Sequence, residues 1–273
     1  MSTNKHLCII GDDFGMHPAV NEGIAEAFSE GILTDSNTMP PTPNFLDAVE
    51  LTKTLGIPVG LHATFTCEWD IYSWGPLTEA RSFVTPDGRL RDNVEEAWRN
   101  ATQEETLKEL HEQYRVIEAE GIPITHVGQH MGFDQGRKFE TAMNMLVKEK
   151  NLPYKGAPDA HIPFALTYNW SSSFIISGPM TVEEAKARLK SILGSLATGY
   201  HLWVTHPAID HASMDDLCSV DCPARNWARP YRSIDLDLLL DEEVADLLKE
   251  DSIELTSLSD CPICTETEQD IVA

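Results

Sequence analysis

Two adjacent carboxylates, Asp12 and Asp13, close the apolar run Leu7 to Gly15 (LCIIGDDFG). Placed side by side they repel, so the pair calls for a cation or a shared proton nearby. The alternative is a plain turn in which Asp13 caps the helix that follows, since Asp is a common N-cap. Three later strand-like segments also run into histidine: His62 after Val59-Gly60-Leu61, His126 after Ile124-Thr125 with His130 shortly beyond, and His206 after Tyr200 to Thr205. Taken singly, each of these reads more readily as a hydrogen-bonded structural histidine than as a ligand. Taken with an acid pair at the same rim, they point to a metal site. One carboxylate plus two imidazoles leaves positions open on a divalent metal, and an open position lets such a metal bind water. The second carboxylate, beside the metal but not on it, can act as general base on that water. A further histidine across the pocket can protonate a leaving group or stabilise an oxyanion.

These residues must be positioned by strands. Leu7 to Gly15 is continuously hydrophobic, as a strand covered on both faces should be. Pro18 to Glu30 reads as an amphipathic helix with proline in its first turn and Gly31 at its close. Ile32 to Met39 predicts a second strand and Asn44 to Leu55 a second helix. The joint Gly56-Ile57-Pro58, repeated as Gly121-Ile122-Pro123, ends a helix on glycine and blocks its continuation with proline. Between the joints, Thr66 to Asn93 is rich in Trp, Pro and Gly, and loops of that length inside a domain are usually functional. Val94 to Gly121 predicts one long polar helix and Lys138 to Lys150 another. Pro153 to Pro179 is irregular, with Trp170 and the serine run Ser171 to Ser173. Val182 to Leu196, a strand at Tyr200 to Thr205, a helix around Ser233 to Lys249 and a last strand near Ile253 to Leu258 complete the order. Strand then helix, repeated, predicts an α/β fold with a parallel sheet and right-handed crossovers. In such folds the chemistry sits at the carboxyl ends of the strands. No linker divides the chain, so residues 1–260 are expected to form a single domain and 261–273 an acidic, disordered tail.

The 273 residues carry a formal charge of −24, which argues against nucleic acid or an anionic membrane as partner. There is no apolar stretch long enough to span a bilayer, and the short polar start shows no signal peptide; a cytoplasmic location is expected. The six cysteines are then expected to be reduced. The close pairs Cys218/Cys222 and Cys261/Cys264 offer a structural zinc knuckle at loose spacing, against incidental cysteines or a redox pair.

Four segments carry a family resemblance: DDFGMHPAVNEGI (Asp12 to Ile24), VGLHATFT (Val59 to Thr66), PITHVGQH (Pro123 to His130) and VTHPAID (Val204 to Asp210). In this order and spacing they resemble the YdjC-like carbohydrate deacetylases, the group that includes chito-oligosaccharide deacetylase. The resemblance implies an irregular TIM-like (β/α) barrel of mainly parallel strands, often dimeric. It also implies removal of acetyl groups from N-acetylated amino sugars or short oligosaccharides with one divalent metal. Carried over position by position, Asp13, His62 and His130 fall at the metal ligands, Asp12 at the general base and His206 at the second catalytic group. Arg232, ahead of Asp235, resembles a late arginine near the site, and His126 matches a histidine of the same segment placed behind the ligands. The sequence departs from the family where an Asp-Ser typically precedes the second metal histidine and a histidine cluster follows it. Gly128-Gln129 and Met131 to Asp134 stand there instead, which bears on the sugar more than on the hydrolysis. Trp69, Trp74 and Trp170 are expected either to stack on sugar rings or to plug the barrel mouth. Two other readings are a carbohydrate-binding or regulatory protein without turnover, and a metal phosphoesterase with Arg137 as the phosphate clamp. Zinc and magnesium both accept Asp and His, with two imidazoles favouring zinc or another transition metal.

Overall fold

The computed structural model describes residues 4–132, 137–155, 166–219 and 228–265. The first strand, β1 (Lys5–Phe14), is central. Helix α1 (Pro18–Ser29) follows it, then β2 (Asp35–Thr38), α2 (Phe45–Leu55) and β3 (Val59–Ala63). After the long loop come α3 (Val94–Asn100), α4 (Gln103–Ala119), β4 (Ile124–Gln129) and α5 (Arg137–Lys150). The remaining elements are β5 (Leu166–Tyr168), β6 (Ser172–Ile175), α6 (Val182–Ser195), β7 (Gly199–Thr205), α7 (Ala228–Leu240), α8 (Glu242–Glu250), β8 (Ile253–Leu255) and β9 (Ile263–Thr265).

The main sheet runs β4-β3-β2-β1-β7-β6, with every neighbouring pair parallel. Strand β8 shares the β2 edge of β1, pairing Lys5 to Leu7 while β2 pairs Ile10 to Phe14. Beyond β4, single bridges from Val127 to Tyr154 and from Tyr154 to Thr167 lead to β5, which pairs antiparallel with β9. The expected α/β class and mainly parallel sheet are therefore present, and no closed ring of strands forms among the described residues.

Alternation along β1 separates two cores. Leu7 and Ile9 join the large cluster with Val20, Ile24 and Ala27 of α1. Cys8 and Ile10 face the other way, into a smaller cluster with Tyr168, Trp170, Leu202, Leu258 and Cys261. Trp170 is thus an interior residue, and it lies beside the start of β7, where Ser171 N donates to the Tyr200 carbonyl, so it neither stacks at the rim nor plugs the mouth there.

Four stretches differ from the sequence reading, the first being Pro153 to Pro179, read as irregular, which holds the short strands β5 and β6. The long helix Val94 to Gly121 is two helices, because Thr102 leaves the helical conformation and its hydroxyl accepts from Glu105 N as a new N-cap. The helix around Ser233 to Lys249 is likewise divided at Asp241, whose carboxylate accepts from Glu243 N and Val244 N. A disordered tail was expected from Cys261, yet Ile263–Thr265 is a strand held against Leu166–Tyr168; residues 266–273 lie outside the described residues.

Candidate metal and catalytic site

The inward series Cys8, Ile10, Asp12 brings Asp12 to the carboxyl end of β1. In a regular strand Asp13 would point to the opposite face. It does not, because the β1–β2 register shifts between Gly11 and Phe14 and Asp13 adopts a left-handed backbone, φ 72°. Asp tolerates that conformation better than a branched residue would. Both carboxylates therefore line one cavity of about 330 Å³, together with His62, Glu68, His130, His206 and Arg232. The alternative of Asp13 as a helix cap is not what is seen: His17 caps α1, its Nδ1 accepting from Ala19 N at 3.1 Å.

The Asp13 Oδ1 atom lies 3.3 Å from His62 Nε2 and 3.1 Å from His130 Nδ1. Ligands about 2.1 Å from a tetrahedral ion sit about 3.4 Å apart, so these spacings suit one cation. All three side chains are buried, and they form the one compact group of metal-binding type among the described residues. His62 comes from within β3, whereas His130 immediately follows β4. The donor set fits a divalent metal.

Each carboxylate has its own cation. Lys155 Nζ bridges both Asp12 oxygens at 2.8 Å, and Asn37 Nδ2 donates to Asp12 Oδ1 at 2.7 Å. Burial opposes the Asp12 charge, but Lys155, with His62 and His206, outweighs it and holds the carboxyl down at about 2. Arg232 Nη2 donates to Asp13 Oδ2 at 2.5 Å. Burial again opposes ionisation there, and Arg232 and His130 outweigh it, so Asp13 lies well below the usual carboxylate range. On the far side of His130, Nε2 meets Glu68 Oε2 at 2.9 Å. Burial disfavours the imidazolium, yet the flanking Glu68 and Asp13 carboxylates push it up to about 10.

His206 stands directly after β7 on the cavity wall. Its backbone N–H donates to Asp235 Oδ2 at 2.7 Å, while its Nδ1 has no partner among the described residues. Burial drives His206 down to about 4 and raises the Asp235 carboxyl to about 7.

The structure thus brings together Asp12, Asp13, His62, His130, His206 and Arg232. His126 stays apart: it lies within β4, fully buried, behind Gly60. Burial and Lys155 lower it to about 3. Trp69 and Trp74 are buried and do not line the cavity, so their faces are closed to a sugar. Trp69 donates Nε1–H to Met16 Sδ and Trp74 to the Thr66 carbonyl, because these amphipathic rings need a polar partner when packed. The Arg137 side chain lies outside the described residues, as does Cys222. Of the other proposed zinc cysteines, Cys261 is buried and donates to the Ser257 carbonyl.

Sequence reasoning missed Lys155, Glu68 and Asn37. Glu68 falls in the loop singled out for its length, but nothing in the spacing marks Lys155. The departure at Gly128 has a local cause: a Cβ there would come within 2.8 Å of Asn37 Nδ2, the donor to Asp12.

A carbohydrate deacetylase of Thermoanaerobacter pseudethanolicus is 26% identical over 263 residues, 93% of this chain and 98% of that protein. The chitooligosaccharide deacetylase of Yersinia enterocolitica is 30% identical over 159 residues, 55% of this chain and 59% of that protein. Among solved structures, a protein of Enterococcus faecalis V583 described as cleaving cellobiose phosphate superposes with a TM-score of 0.74 at 20% identity, covering 93% of this chain and 97% of that one. A family 4 carbohydrate esterase of Streptomyces lividans, solved with acetate, gives 0.54 at 8% identity over 95% of both chains. The YdjC-like protein family matches residues 6–250, and the chain belongs to it.

Proposed function

We propose that the protein is a metal-dependent hydrolase that removes the acetyl group from an N-acetylated amino sugar or short oligosaccharide. The observation that carries this reading is the convergence of Asp13, His62 and His130 beside a second carboxylate that is not among them. The names of the deacetylase relatives supply the substrate class. Asp13, His62 and His130 would hold the ion, and two imidazoles with one carboxylate favour zinc or another transition metal over magnesium. Such an ion, when bound, polarises the acyl oxygen and makes water more acidic.

The remaining chemistry belongs to the chain. Lys155 keeps Asp12 anionic through neutral pH, so Asp12 can take a proton from the attacking water. That proton leaves with the amine. His206, neutral at pH 7, stands where it can hydrogen-bond the oxyanion or relay the proton to the departing nitrogen. Arg232 fixes the second Asp13 oxygen and leaves Oδ1 facing the histidines. A phosphoesterase is the weaker reading, since both cations at the site, Lys155 and Arg232, are already engaged by carboxylates.

Acetate release tests the proposal. Metal-stripped protein reloaded separately with Zn²⁺, Mg²⁺, Co²⁺ or Mn²⁺ is assayed on N-acetylglucosamine, its phosphate and short chitin oligomers. Asp12→Asn should keep its metal and lose about 10²-fold or more in turnover, whereas Asp13→Ala should lose the metal. Full metal content and full activity in Asp13→Ala would remove that ligand assignment.

A further inference from the structure

Glu68 is a buried carboxylate, 5% exposed, that neither the acid pair nor the histidine spacing accounts for. It reaches His130 from the side opposite Asp13: Oε2 is 2.9 Å from Nε2, while Asp13 Oδ1 is 3.1 Å from Nδ1. A carboxylate accepts, so His130 donates Nε2–H to Glu68. Without a metal Nδ1 also carries a proton, toward Asp13 Oδ1; a cation seated beside Asp13 and His62 would displace that proton and leave Nε2–H on Glu68. The segment that holds Glu68 is itself fastened on both sides. Cys67 N donates to the Arg91 carbonyl at 2.9 Å, Asp70 N to the Cys218 carbonyl at 3.1 Å, and Trp69 is packed at 1% exposure. Two residues upstream, the Thr66 carbonyl accepts from Trp74 Nε1. A carboxylate on so anchored a backbone acts as a fixed stop for the imidazole. Trp74 closes in from the side, its ring centroid 6.3 Å from that of His130.

We infer that Glu68 is a positioning residue that holds His130 in the Nε2–H form and presents Nδ1 as the ligand atom, so that metal affinity depends on a residue outside the ligand set. The inference rests on the metal reading above and deepens it. A carboxylate behind a ligating imidazole sets its tautomer and ring orientation, and losing such a partner typically weakens metal binding by about 10–100-fold. Glu68 is also what separates His130 from His62, whose Nδ1 has no partner among the described residues. Of the two imidazoles, His130 is the one with a dedicated carboxylate.

The test is a zinc competition titration against a chromophoric chelator with wild type, Glu68→Ala and Glu68→Gln. Glu68→Ala should bind zinc about 10–100-fold more weakly. Glu68→Gln, whose amide oxygen can still accept from Nε2–H, should recover part of that loss, which a merely structural role would not produce. In zinc-loaded protein with ¹⁵N-labelled histidine, His130 should show a slowly exchanging proton on Nε2 and none on Nδ1. Its signal is assigned by comparison with His130→Asn. Equal zinc affinity in wild type and Glu68→Ala, or a zinc-loaded His130 protonated on Nδ1, would overturn the inference and leave the metal reading standing. A wild-type protein that takes no zinc, cobalt, manganese or magnesium would overturn both.

Discussion

Replacing Lys155 by methionine tests how the acid pair is stabilised. In the folded protein Asp12 is 4% exposed and both its oxygens rest on Lys155 at 2.8 Å. Its carboxyl is held at about 2 against an ordinary 3.8. At about 1.4 kcal/mol per pH unit that is about 2–3 kcal/mol in favour of the anion, the net of burial against Lys155, His62 and His206. Because the folded value is the lower one, this stability is fully present above the unfolded pKa and is lost as pH falls through the folded value near 2. Removing the ammonium takes away the largest of the effects that oppose burial and leaves a buried charge without its ion-pair partner, a change that typically costs about 3–5 kcal/mol. Burial alone raises a carboxyl pKa, so Asp12 in the Lys155→Met variant should titrate above the ordinary range. Lowering the pH then protonates it and relieves the unpaired charge.

Urea titrations of the metal-stripped proteins should therefore show Lys155→Met less stable than wild type by about 3–5 kcal/mol at neutral pH. The gap should narrow as the pH approaches 4.5. Adding Asp12→Asn to Lys155→Met should recover most of the loss at neutral pH, because no charge remains to be neutralised. The acid limb of the activity profile should also move to higher pH in the single variant. A stability gap that is the same at both pH values, with no recovery in the double variant, would refute the reasoning.

Two further outcomes follow from the packing around the site. In Gly60→Ala the new Cβ would sit 2.3 Å from His126 Nε2 inside the sheet, so overpacking should lower stability by about 1–3 kcal/mol, read from the urea midpoint. Glu109 accepts from Leu77 N, Thr78 N and Thr78 Oγ1 at 2.7–3.0 Å. Glu109→Ala should therefore speed hydrogen exchange at the Leu77 and Thr78 amides, since this part of the Thr66 to Asn93 loop loses its tether to α4 while Arg81 N and Ser82 N keep theirs to Glu105.

The rim was readable because each of its residues comes at the end of a recognisable strand or close beyond it. Leu7 to Gly15, Val59 to His62 and Tyr200 to Thr205 announce themselves by hydrophobicity, and a parallel sheet sends their ends to one side. His126 shows the limit of that logic. Spacing alone puts it with the strand-end histidines, whereas the resemblance sets it behind the ligands; β4 continues three residues past it, to Gln129, so its ring is buried behind Gly60 while His130 takes the rim. Lys155 and Asn37 could not be read because their partner Asp12 is distant in sequence and neither residue carries a local spacing rule. The loop tryptophans, for which the sequence leaves stacking and plugging both open, could not be decided for a different reason. A long Trp-rich loop resembles a stacking platform in one dimension, and only the contacts with Met16 and Thr66 reveal that the rings are already occupied.

Adjacent aspartates would ordinarily be redundant or mutually destabilising, and here the backbone gives them different duties. The register shift and the left-handed Asp13 turn both side chains into one cavity, and the cations on either side then separate them. Arg232 takes one oxygen of Asp13 and leaves the other beside His62 and His130, a geometry suited to a ligand. Lys155 takes both oxygens of Asp12 and Asn37 adds a third contact, which keeps that carboxylate charged. The lone pairs not spent on Asn37 and Lys155 are what remain to accept a proton. Exchanging the two acids is thus not a neutral swap of like residues, because the roles are written in Arg232 and Lys155 as much as in Asp12 and Asp13.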